Sequence, residues 1–220
     1  MDINRLSAET IESNKQEFIG LLRTITRKGA EIEKLISKLE MSDFFSAPAS
    51  TKYHGAYIGG LCDHCLNVYY NMMHLLSYKA PRFGIEDIEP YKESVIILAL
   101  CHDISKMNLY KLGCRNIKVY SPDGDKYDEL GNFYWKSELS YELKPVEERF
   151  VYGNHEATSE YMIRHYIPLT VEESSAILHH MGNMSWDSAK DDIGAVFSKY
   201  PLALLLYLAD MMSTYVDEKQ

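Results

Sequence analysis

The sequence predicts an all-α protein, a helical domain interrupted once by an inserted β-hairpin, and three observations carry this expectation. Apolar residues recur at helical spacing along most of the chain. Capping residues and prolines punctuate these stretches where helices should begin and end. A single segment near the middle, residues 108–143, switches to the two-residue alternation of strands. With 220 residues, 46% of them hydrophobic, the chain is long enough to bury one good core, and residues 1–220 are expected to form a single domain.

The elements follow in order. From Thr10 to Leu39 the residues Ile11, Phe18, Leu22, Ile25, Ile32, Leu35, Ile36 and Leu39 recur near helical spacing, which predicts one long amphipathic helix or two shorter ones. Residues 1–45 thus read as a helical N-terminal extension. The stretch FFSAPASTKYHGAYIGG is rich in small residues, Pro and Gly, and reads as a loop leading into a helix from about Leu61 to Tyr78, ended by Pro81 and Gly84. A third helix runs from about Pro90 through VIILALCHD, so apolar that it must lie centrally. NIKVYSPDGDKYDELGNFYWKSELSYEL then alternates β-branched and aromatic residues around a Pro-Asp-Gly turn, which predicts the hairpin. Helices resume at about His155 to Tyr166 and again after Pro168, where Thr170 and Glu173 have capping-box spacing. Pro201 opens the last one, PLALLLYLADMMSTYVD.

Charge and composition narrow the function. Lys and Arg number 23 against 32 Asp and Glu, a net charge of -9 that repels polyanions, so duplex nucleic acid is a disfavoured partner and a small phosphorylated substrate a better one. No run of about eighteen apolar residues exists and the first residues lack a signal-peptide core, so a cytoplasmic protein without membrane contact is expected. Four cysteines without a secretory signal suggest reduced thiols. Cys62 and Cys65 bracket His64, but Cys101 and Cys114 do not supply a second pair at zinc-knuckle spacing, and no thioredoxin-like context surrounds the first pair. They read as core thiols on either side of a histidine.

Polar residues inside apolar helices carry the chemistry. Asp210 stands in LALLLYLADMM and Asp103 follows VIILALCH, each on a face that should be buried. A lone carboxylate there costs several kcal/mol unless it is paired or bound to a cation. His64 lies on a stripe with Leu61, Val68 and Leu75, and His102 directly precedes Asp103. The full set in chain order is His64, His102-Asp103, His155, His179-His180 and Asp210, nitrogen and oxygen donors suited to Mn, Fe, Co, Ni or Zn.

This order resembles the HD-domain superfamily of metal-dependent phosphohydrolases over roughly residues 50 to 215. GGLCDHCLNV is similar to its opening GGLLEHTL type of signature, which places the first ligand at His64. LALCHDISK is similar to its central HDIGK signature, with Ser105 where Gly is commoner, and ILHHMG and LLYLADMMS resemble its later His and Asp segments. The added His155 and His179-His180 resemble the two-metal subgroup. The resemblance implies an HD-type helical bundle with two divalent ions, one on His64, His102, Asp103 and Asp210, the other on His155 and either His179 or His180, with Asp103 bridging. It further implies hydrolysis of a nucleotide or another small phosphoester by a metal-activated hydroxide, with Asp103 and Lys106 in the catalytic set and Lys106 on the substrate phosphate. Asn154, Arg115, Lys118, His54 and Tyr110 are candidate substrate contacts. Three other readings share the ligand pattern: a di-iron oxygenase, a 3′-to-5′ exoribonuclease, and a ligand-binding module without turnover.

Overall fold

Two helices rather than one form within residues 1–45 in the computed structural model, which describes residues 3–83, 85–182 and 193–218. The first, α1 (Ala8–Leu22), begins at Ser7, whose hydroxyl accepts the amide of Thr10. The second, α2 (Ile32–Glu40), follows a connection that turns at Gly29 with φ +86°, a left-handed conformation that glycine adopts without strain. The loop expected at residues 44–60 leads into α3 (Gly60–Lys79). The paired glycines there have a steric cause. Gly59 takes φ +82°, and a Cβ on Gly60 would collide with the carbonyl of Gly55. Gly84, expected to help end α3, lies outside the described residues.

The third helix, α4 (Glu89–Cys101), occupies the centre as its composition demands. Val95 through Cys101 are all buried, and α3 lies alongside with α1, α6 and α8 around it. Each fully buried leucine or isoleucine in that run contributes about 1.5–3 kcal/mol of hydrophobic stabilisation. After the sheet come α5 (His155–Arg164) and α6 (Val171–Leu178), the latter with the expected capping box of Thr170 and Glu173. Then follow α7 (Ile193–Lys199), which the apolar pattern did not announce, and α8 (Pro201–Met212), extended by a π-helical turn over Ser213–Asp217. No single helix among the described residues is long and apolar enough to cross a membrane.

The expected all-α class does not hold. The segment after α4 forms a three-stranded antiparallel sheet, β1 (Tyr110–Tyr120), β2 (Lys126–Asp128) and β3 (Gly131–Leu143), in the order β1-β3-β2. About 53% of the described residues are helical and 13% are in strands. The long pair runs in unbroken register from Tyr110 opposite Leu143 to Tyr120 opposite Phe133, and β2 adds a short third strand at the far end. Eleven- and thirteen-residue strands are too extensive to count as a hairpin ornament on a helical domain, and they pack chiefly on one another. Phe133 and Tyr141 are buried, whereas Tyr120, Tyr127, Tyr134 and Trp135 remain largely exposed. Lys118 lies over the Phe133 ring and pairs with Asp128 at 2.5 Å, which occupies it within the sheet.

Candidate metal centre

Five separate segments converge on one buried cluster. α3 supplies His64, the end of α4 supplies His102 and Asp103, α5 supplies His155 as its first residue, the turn after α6 supplies His180, and α8 supplies Asp210. α4 stops at Cys101, and the short 3-10 turn Ile104–Lys106 follows. Ending the helix there lets His102 and Asp103 both face inward, which two successive residues of a continuous helix cannot do at 3.6 residues per turn.

The imidazoles are oriented by their outer nitrogens. Nδ1 of His102 lies 3.0 Å from the Ala99 carbonyl, Nδ1 of His180 lies 2.7 Å from the Ile177 carbonyl, and Nδ1 of His64 lies 2.8 Å from Glu218 Oε1. A carbonyl or carboxylate accepts, so Nδ1 carries a proton and Nε2 is the nitrogen turned toward the cluster. Nε2 of all three histidines, together with Asp103 Oδ1, is buried and makes no hydrogen bond. An unmet buried polar atom costs about 1–3 kcal/mol, and four of them pointing into one place are the expected signature of a cation site.

Asp103 divides the cluster in two. Its Oδ2 lies 3.4 Å from His102 Nε2, 3.7 Å from His64 Nε2 and 2.6 Å from Lys106 Nζ. Its Oδ1 lies 3.7 Å from His180 Nε2 and 3.9 Å from His155 Nε2. Asp210 Oδ1 is 3.3 Å from His64 Nε2. Within each of the three groups His64-His102-Asp103, His102-His180-Asp210 and Asp103-His155-His180, the donor atoms lie within 4.8 Å of one another. Two donors bound to one ion at about 2.1 Å are at most about 4.2 Å apart, so these sets need only small inward shifts to close on a cation. The buried His and Asp groups can hold a metal ion.

Electrostatics agree with that use. Burial alone would raise the Asp103 carboxyl, but Lys106 and His102 outweigh it and hold Asp103 well below the usual carboxylate range. Asp210 is likewise held down against burial, chiefly by His64. Burial lowers the His155 imidazole to about 3, so it stays neutral and keeps a lone pair. Burial also disfavours charge on His64, yet the Glu218 and Asp210 carboxylates lift it to about 10, so a cation at Nε2 has to displace a proton.

Three of the remaining predicted residues, His179, Asn154 and Arg115, fall elsewhere. His179 is the C-cap of α6, with Nδ1 at 2.7 Å from the Ser175 carbonyl, and it belongs to none of the donor groups. Asn154 is exposed and caps α5 by accepting the Ala157 amide at 2.9 Å. Arg115 sits mid-strand in β1 opposite Glu138 and does not line the cavity over the cluster. That cavity, about 820 Å³, is walled in part by Lys52, Tyr53, His54, Lys106, Tyr110 and Tyr215 above Asp103, His155 and Asp210. His54 and Tyr110 thus line this cavity. Glu218 escaped the sequence reading, because a glutamate four residues after Thr214 in a polar tail carries no periodic signal. Only the π-helical turn, anchored by Asn71 on Asp217 at 2.7 Å and on Ser213 at 2.9 Å, swings it onto His64.

A search of protein-family models, curated proteins and solved structures finds no match to this chain. The site therefore rests on its own geometry. His180→Ala is expected to lower bound metal at least tenfold in affinity, while His179→Ala leaves it unchanged, both read by competition with a chromophoric chelator. Equal losses in the two variants would reject the choice of His180.

Proposed function

We propose that this chain is a metal-dependent phosphohydrolase acting on a nucleotide or another small phosphoester, in keeping with its resemblance to the HD-domain superfamily. The observation that carries the reading is the division of Asp103: each carboxylate oxygen faces its own pair of histidines, and Lys106 sits at the cavity edge of the same side chain. His64, His102, Asp103 and Asp210 would hold one ion, and Asp103, His155 and His180 the other. Divalent cations bound there supply Lewis acidity and water of lowered pKa at neutral pH.

The chain's own groups then do the following. Asp103 keeps its charge at neutral pH and presents one oxygen to each set of histidines. Burial disfavours charge on Lys106, but Asp103 beside it raises its pKa, so the ammonium persists and can pair with a substrate phosphoryl oxygen. Glu218 fixes the His64 ring through Nδ1. Tyr53 and Tyr215, largely exposed at the cavity rim, offer ring faces to a substrate.

The test is a screen of purified protein loaded with Mn, Ni or Fe against nucleotides, cyclic dinucleotides and phosphomonoesters. Phosphate release stimulated by one metal is the expected result. Oxygen consumption with iron and no phosphate release under any metal would replace this reading by an oxygenase. Lys106→Ala is expected to lower kcat/KM by about tenfold to a thousandfold while metal content stays at the wild-type level. Loss of metal in that variant would mean that Lys106 supports Asp103 rather than substrate.

A further inference from the structure

Three depressions join on one side of the metal centre. Besides the main cavity there is one of about 480 Å³ and, between the two, one of about 290 Å³. All three share Leu109; the main and the intermediate cavity share His155; the intermediate and the outer share Ser105, Arg149 and Phe150. The three cavities are thus neighbours, reaching from His155 at the donor cluster to a pocket around Arg149.

Arg149 is the unusual residue there. It is part-buried, its Nε is inaccessible and without a hydrogen bond, and among the described residues no carboxylate pairs with its guanidinium. The contrast is Arg27, part-buried as well but held by both Glu93 and Glu173. A guanidinium fork that no protein carboxylate occupies is available to the oxygens of a ligand. Lys38 and His165 line the same pocket, against the single acid Glu148. Phe150 is mostly exposed there and lies nearly parallel to Tyr161 at 6.1 Å between ring centres, an open aromatic surface beside the cation.

We propose that this outer pocket binds a second phosphate-class oxyanion of the substrate, together with an attached planar ring. The guanidinium fork takes two oxyanion oxygens, which a lysine cannot do in one plane, and Phe150 receives the ring face. The substrate is then an extended molecule with two phosphate groups spanning His155 and Arg149, in preference to one with a single phosphate. This rests on the phosphohydrolase reading for the inner cavity, whereas the pocket itself stands on Arg149.

The probe is a dithymidylate with a 5′-phosphate and a phosphorothioate link, chosen to resist hydrolysis, titrated calorimetrically into the full chain and compared with thymidine 5′-monophosphate. The dinucleotide is expected to bind at least tenfold more tightly than the mononucleotide. Arg149→Gln should erase that advantage, Arg149→Lys should restore part of it, and turnover of p-nitrophenyl phosphate should stay at the wild-type level. An unchanged dinucleotide affinity in Arg149→Gln, or no advantage of the dinucleotide in wild type, overturns the proposal. Dinucleotide binding through Arg149 without turnover of any phosphoester would instead remove the hydrolase reading and leave this pocket standing.

Discussion

Asp103→Ala is expected to remove bound metal and turnover together, with metal content below a tenth of wild type by elemental analysis and no phosphate release above background. The physical reason is that both oxygens of this one carboxylate face donor sets, Oδ2 toward His64 and His102 and Oδ1 toward His155 and His180, so its loss opens both sets at once. It also leaves Lys106, 2.6 Å away and mostly buried, without its partner, which adds repulsion to any cation. Asp103→Asn separates the two contributions, because it keeps the shape and removes the charge. Retention of full metal occupancy in Asp103→Ala would overturn the assignment of the whole cluster. A fold check by circular dichroism accompanies the measurement, since Asp103 lies where five segments converge.

Arg27→Ala is expected to destabilise the fold by about 3–5 kcal/mol, the usual cost of leaving a buried charge without its partner. Arg27 donates to both oxygens of Glu173 at 2.6 and 2.7 Å, to Glu93 at 3.1 Å and to the Pro168 carbonyl at 2.8 Å. It thereby ties the α1–α2 connection to α4 and to the start of α6. Glu173 is completely buried and also completes the capping box with Thr170. Burial would raise its carboxyl, but Arg27 and the Thr170 amide outweigh burial and lower it below 4.5. A depressed folded-state pKa contributes stability above the unfolded value that is lost as pH falls through the folded one, so the wild type should weaken below about pH 4.5. Urea unfolding at pH 7 and pH 4 tests both statements. A change under 1 kcal/mol at pH 7, or a variant with the same acid dependence as wild type, would show that the clamp is ornamental.

Much of the cluster was legible because a buried ionisable residue is conspicuous in an apolar helix. Asp103 after VIILALCH and Asp210 inside LALLLYLADMM fall on faces that their apolar neighbours mark for burial, and His64 shared a stripe with core leucines. These are local statements, and the structure places all three in one cluster. The choice between His179 and His180 was not local. It depends on where α6 ends, and with Leu178 as its last residue the His179 ring folds back on Ser175 while His180 turns inward. Glu218 shows the same limit more sharply, since its partner His64 is 154 positions away. Asn154 and Arg115 were chosen by chemistry alone and are occupied by capping and by the sheet.

By itself the sequence determined the apolar core, the capping of α6, the centrality of α4 and the types of donor available to a metal. Each of these follows from periodicity and from the cost of burying charge, which act within a few residues. Tertiary structure alone decided that the middle segment is a three-stranded sheet rather than a hairpin, which histidine of an adjacent pair faces inward, and that a tail glutamate orients the first ligand. Those outcomes depend on contacts between segments far apart in the chain, and the free energy that selects them is not written in either segment alone.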